Sequence, residues 1–271
     1  MIPTMADKST VPSAVSDALI NHLSPQRLAP YLYECHNDIN RAVSLYLLDR
    51  EVAVALFRDI SVIEVALRNA LDRALVNKYG EYWHRQAATI FDRRTFDQIA
   101  EAWDSLPKQR RSHDPDNHKI RGRLIAACTF GTWVAMLDNG GSTACKAPSN
   151  KASHDDVWDL QTLLTAFKGG QLISKSEDKA QFTRDWVYQQ IRPIHLTRNR
   201  IAHHESLIKG IPIPGTGNSD REVKRIQLNE AHQKCMRVAA MIDQDLHTFL
   251  EGTSTAKQAI DRVEALRQSV C

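Results

Sequence analysis

The 271-residue sequence offers little to a disulfide or metal framework. Its five cysteines (Cys35, Cys128, Cys145, Cys235 and Cys271) form no CxxC pair and lie far apart. Such scatter fits free thiols in a reducing compartment better than a disulfide scaffold. No Cys/His pair has the spacing of a structural zinc site, so neither metal nor cofactor is expected. Long apolar runs are missing as well. The longest, "LIAACTFGTWVAML" at 124–137, is interrupted by two threonines and a glycine. A membrane span needs roughly 20 apolar residues, so this run reads as a buried helix and no membrane partner is expected. The opening "MIPTMADKSTVPSAVSD" lacks the apolar core of a secretory signal. The expectation is a cytoplasmic protein whose residues 1–13 form a flexible tail.

β-Alternation is scarce and no internal repeat is found. Apolar positions instead recur at three and four residues nearly everywhere, the period of a helix buried on one side. Leu56, Ile60, Ile63, Leu67, Leu71 and Ala74 mark one face of a long helix, starting near Asp49 or before and capped by Gly80. Ala231, Cys235, Val238, Ile242, Leu246 and Phe249 mark a second, ended by Gly252. Shorter helices are expected over 92–106, 120–137, 155–167 and 177–191, and in "PSAVSDALINHL" at 12–23. In "SPQRLAPYLYEC", Ser24 suits an N-cap and Pro25 the first helical position. Three polar stretches, 107–119, 139–154 and 209–220, read as loops. The expected fold is all-α, a bundle of roughly eight to ten helices forming a single domain over 14–271.

The stretch "RNRIAHHES" at 198–206 concentrates chemistry. Pro193 suits the start of a helix that carries it, with Ile194, Thr197, Ile201 and Leu207 turned to the core. Adjacent helical residues point about 100° apart, so His203 and His204 cannot share one ion from a regular helix. Acid–base work fits better than metal binding, and the plain alternative is a solvated polar helix surface, the commoner use of such clusters. Histidine titrates near neutrality. Arginine stays protonated and forks onto phosphate oxygens. Together they suit RNA phosphodiester cleavage, in which arginine stabilises the charge gathered at phosphorus. Arg198 and His203, however, lie about 140° apart on an ideal helix. Asn199 with His203, and Arg200 with His204, are the pairs that share a face. A site using Arg198 and His203 therefore requires arginine reach, a helix distortion, or a second copy of the chain.

"LTRNRIAHHES" resembles the signature of the HEPN superfamily, an Arg followed after four to six residues by His. Three more blocks resemble the Abi-like group of abortive-infection proteins: "SPQRLAPYL", "AVSLYLLDREVAVALFRDISVIEVALRNAL" and "LIAACTFGTWVAMLD". The resemblance covers about 24–250, and 253–271 has no matching block. It implies a HEPN-like all-α core and a metal-independent endoribonuclease acting as a toxin or in phage defence. It also implies a homodimer with a composite site, and an antitoxin or phage component as a further partner. Arg198 and His203 are then the catalytic pair, with Asn199 and His204 supporting or alternative residues.

Glu64 and Arg68, in "IEVALRN", fall one turn apart. They read either as an ion pair worth a few tenths of a kcal/mol or as supports of the motif helix. Arg200, Lys108, Arg110 and Arg111 are weaker RNA-backbone candidates. The net charge of +3 permits an RNA partner without demanding one. The tryptophans, Trp133 in "FGTW" above all, read as core, with Gly131 allowing a close helix approach. The rival reading keeps the fold as a non-catalytic RNA-binding or protein-interaction module.

Overall fold

The computed structural model describes residues 20–108, 119–145, 150–217, 219 and 222–269. The expected tail, most of 12–23, and Arg110 and Arg111 lie outside them. The described residues are helical almost throughout. In chain order they form α1 (Pro25–Glu34), α2 (Ile39–Tyr79), a 3-10 turn (Trp83–Gln86), α3 (Ala87–Ile90), α4 (Arg93–Ser105), α5 (Lys119–Ala127) and α6 (Phe130–Ala135). A short hairpin, β1 (Gly140–Ser142) with β2 (Lys151–Ser153), precedes α7 (His154–Val157), α8 (Leu160–Ala166), α9 (Gly170–Ser176) and α10 (Arg184–Ala202). The pair β3 (Ile211–Pro212) and β4 (Arg225–Ile226) leads to α11 (Leu228–Ile242), α12 (Gln244–Thr253) and α13 (Ala256–Gln268). This is the all-α class expected, in more pieces, several of them single turns. No helix among the described residues is long and apolar enough to cross a membrane.

The chain divides into two compact units. The first holds residues up to Ile60, Leu196–Gln233 and Thr253 onward. Ser24 caps α1 as expected, its hydroxyl accepting the Arg27 N–H, with Pro25 in the first turn. Asp38 Oδ1 accepts the N–H groups of Asn40 and Arg41 and so starts α2 at Ile39, ten residues before Asp49. The apolar face of α2 runs back through Leu45, Val43 and Ala42, all fully buried, which is why the helix extends that far. β3 and β4 pair antiparallel, Ile211 opposite Ile226, with β3 inside the stretch 209–220 that reads from sequence as loop and β4 beyond it. The unmatched C-terminal segment is a helix, α13, burying Ala256, Ile260 and Val263. Ser254 holds its start, accepting the Ala256 N–H and donating to buried Asp59 at 2.5 Å.

The second unit holds Ser61–His195 and Lys234–Gly252. Here α2 ends on Gly80, whose φ of +86° only glycine adopts without strain. Three expected helices are broken, each by a polar residue that takes the first N–H groups of the next element. Thr129 accepts from the Thr132 N–H and starts α6 inside 120–137. Asp159 accepts from the Thr162 N–H and separates α7 from α8. Asp243 accepts from the Asp245 N–H and divides 231–249, so that Leu250 turns inward and Phe249 outward. The fourth correction runs the other way. Pro193 lies inside α10, which begins at Arg184, and the expected helix over 177–191 merges with the motif helix. Val187, Ile191 and Ile194 are all buried, so the apolar face passes through the proline without a break. Phe182 precedes the helix yet still meets Trp186 edge-on at 5.7 Å. The loop expected over 139–154 contains the β1–β2 hairpin. Trp83, Trp133 and Trp158 are core residues, and a Cβ on Gly131 would stand 3.4 Å from His195 Nε2, the close approach read from sequence.

Candidate functional site

The Arg/His stretch is a helix end, built entirely within the first unit. Thr197 and Ile201 turn α10 into the core, as their spacing predicted, and leave Arg198, Asn199 and Arg200 half-buried around the rest of the last turns. The His203 N–H still bonds Asn199 O at 3.0 Å, so His203 closes the last turn. His204 then adopts a left-handed backbone, φ +55°. Its N–H returns to Ile201 O at 2.9 Å and the Glu205 N–H to Arg200 O at 3.0 Å. These two bonds define a Schellman terminus, with histidine where glycine is usual. A non-glycine residue there costs about 1 kcal/mol. His203 and His204 are therefore not successive residues of a helix. One ends it and the other reverses it, and both side chains are exposed.

The chain beyond is held by three arginines. Arg27 Nη1 donates to His204 O at 2.5 Å, Arg50 Nη2 to Glu205 O at 2.8 Å, and Arg200 Nε to Ser206 O at 2.7 Å. Three successive carbonyls thus each accept from a guanidinium. The next residue reverses polarity, as the Leu207 N–H donates to both carboxylate oxygens of Asp49, at 3.2 and 3.3 Å. Asp49 is fully buried. It also accepts from Tyr31 Oη at 2.5 Å and pairs with Arg50 at 2.6 Å. Burial, with the adjacent Asp49 carboxylate, pushes the Tyr31 phenol well above its ordinary range, so it stays a donor. A buried carboxylate needs this full set of partners.

Among the residues singled out by sequence, Arg198, Asn199, His203 and His204 are brought together on one helix end. Arg200 is engaged with Ser206 O and with Glu205 at 2.6 Å. Glu64 and Arg68 belong to the second unit, half-buried and one turn apart on α2. Lys108 is exposed there, at the edge of the described residues. Arg27, Tyr31, Asp49 and Arg50 escaped sequence reasoning as site residues. One signal was available, the pair Asp49–Arg50 standing inside the apolar run of "LYLLDREVAVAL".

The second unit has its own polar cluster. His154 is fully buried, its Nδ1 3.3 Å from Asp138 Oδ1, and its Nε2 accepts the Asp92 N–H at 3.3 Å. Burial pushes the Asp138 carboxyl up, but His154, the Gly140 N–H and Arg94 outweigh it and hold the group below its usual range. Asp92, Arg94, Asp138 and Tyr188 line an open polar cleft of ≈ 410 Å³ beside it.

The described residues form a mostly helical protein in which the Arg/His stretch ends α10 with both imidazoles exposed. Comparison with family models narrows this. Residues 31–209 match the model of the Abi-like protein family, and the chain belongs to that family. The match takes in Tyr31, Asp49 and the whole motif through Lys209. Comparisons with curated proteins and with solved structures returned no match.

Proposed function

We propose that this Abi-like chain is an endoribonuclease of the HEPN type, serving phage defence or acting as a toxin. His203 takes the proton of a ribose 2′-hydroxyl or returns one to the departing 5′-oxygen. The 2′-oxygen forms its bond to phosphorus as the 5′-oxygen leaves, giving a cyclic phosphate end. Arg198 neutralises the extra charge on the phosphoryl oxygens at the crowded stage. The observation that carries this reading is a helix terminus that exposes two imidazoles while three arginines hold the successive carbonyls of His204, Glu205 and Ser206 just beyond His203. Such a frame pre-positions a proton donor or acceptor without burying it. Family membership supports the defence setting. Because Arg198 and His203 diverge by about 140° around the helix, the active form pairs two copies about a two-fold axis. Each copy then offers the other the group its own cleft lacks.

Incubating purified protein with RNA in EDTA tests this. Wild type is expected to cleave. His203→Ala and Arg198→Ala are each expected to lose about a hundredfold or more in rate. Equal cleavage by all three sinks the assignment.

A further inference from the structure

The chain leaving the motif runs toward an aromatic side chain that the reaction has not yet used. Tyr33, on α1, is 74% exposed, more than any other aromatic among the described residues. The same helix buries Leu28 and Tyr31 on its inner side. Lys209, six residues after His203, lays its Nζ 4.7 Å from the Tyr33 ring centroid. Arg27, near the other end of α1, spends one of its five N–H donors on His204 O. At about 1.5 Å per residue, Arg27 and Tyr33 stand about 9 Å apart along the helix. The segment from His204 to Lys209 joins the same two points.

Charge along this line is one-sided. The neighbouring acids are matched: Glu205 by Arg200, Asp49 by Arg50 and Glu34 by Arg267, at 2.6, 2.6 and 2.8 Å. Arg27 and Lys209, with His203 and His204 when protonated, leave a positive surplus. A positive track with an exposed ring at one end is the pattern that binds single-stranded nucleic acid. Phosphates follow the charge and an unstacked base covers the ring. A duplex keeps its bases paired and cannot use such a ring.

We propose that α1 and residues 203–209 form a subsite for single-stranded RNA beside the Arg198–His203 centre. In it Tyr33 stacks one nucleobase, and Arg27 and Lys209 hold the flanking phosphates. The proposal rests on the ribonuclease reading of the same motif, and selects unpaired RNA within it.

The test measures binding, on the full chain carrying His203→Ala so that RNA stays intact. A short fluorescent single-stranded RNA and a matching duplex are titrated by anisotropy. Adding Tyr33→Ala is expected to weaken single-strand binding about tenfold and leave the duplex unaffected, and Tyr33→Trp to restore it. Arg27→Met and Lys209→Met are each expected to flatten the slope of log affinity against log salt by about 0.7. Unchanged single-strand affinity in Tyr33→Ala, or equal loss in Tyr33→Trp, overturns the subsite. Wild type that binds through Tyr33 but cleaves nothing in EDTA overturns the ribonuclease reading and leaves the subsite standing. Cleavage with Tyr33-independent binding does the reverse.

Discussion

The two ends of α10 use the same residue types to opposite effect. At its first turn, in the second unit, Arg184 is 4% exposed. It donates to Leu137 O at 2.7 Å, to Asn139 Oδ1 at 2.8 Å and to Asp155 at 2.6 Å. The histidine of that unit's polar cluster, His154, is fully enclosed. At the last turn, in the first unit, Arg27, Arg50 and Arg200 also cap carbonyls, yet His203 and His204 remain in water. Arginine capping of loop carbonyls serves interior satisfaction in one place and presentation in the other. What distinguishes them is whether the imidazole is enclosed. An Arg/His-rich composition does not separate the two cases.

The comparison breaks first at Arg184. Arg184→Met removes three donors at once and leaves Leu137 O and Asn139 short of partners. It is expected to cost about 3 kcal/mol, read as a lowered urea midpoint. Asp155 is exposed enough to rehydrate, which keeps the loss from being larger. RNA affinity per folded molecule is expected to stay as in wild type. A variant that unfolds normally but loses RNA affinity would show that the buried network too serves a ligand.

Asp49 tests the other side of the comparison. Asp49→Ala strips the Leu207 N–H and the Tyr31 hydroxyl of their acceptor and leaves Arg50 without its counter-charge. The expected cost is about 2–3 kcal/mol. It should come with a cleavage loss that saturating RNA does not restore, because the loop carrying His204 through Leu207 loses its anchor. A stability loss with an unchanged rate constant would reduce the clamp to scaffolding.

How much of this was legible follows from how local each signal is. The Ser24 cap, whose partner lies three residues away, could be read because the bond is written in the spacing. Thr129, Asp159 and Asp243 form bonds just as local, but they sit inside apolar periodicities that continue across them. Period alone therefore predicted one helix where there are two. Pro193 misled in the opposite direction, since a buried face on both sides outweighs one missing N–H. Within the site, the residue types were readable, and helical arithmetic gave the angle of about 140° expected between Arg198 and His203 on an ideal helix. The reversal at His204 was not, because the sequence has no glycine there to announce it. Nor were Arg27 and Arg50, whose carbonyl partners lie 177 and 155 residues away.

That reversal gives the smallest and sharpest prediction. His204 holds φ +55°, where a β-carbon is strained and glycine is not. His204→Gly keeps the backbone bonds of the Schellman terminus and the carbonyl that Arg27 grips, while relieving the strain. The variant is expected to gain about 1 kcal/mol, measured as a higher urea midpoint at unchanged slope. It also separates the two imidazoles. If His203 moves the proton, His204→Gly cleaves RNA within a few-fold of wild type even as it becomes more stable, whereas His203→Ala falls silent. A more stable His204→Gly that has lost cleavage would transfer the proton to the left-handed residue. The strained backbone at the end of α10 would then be what places the catalytic imidazole.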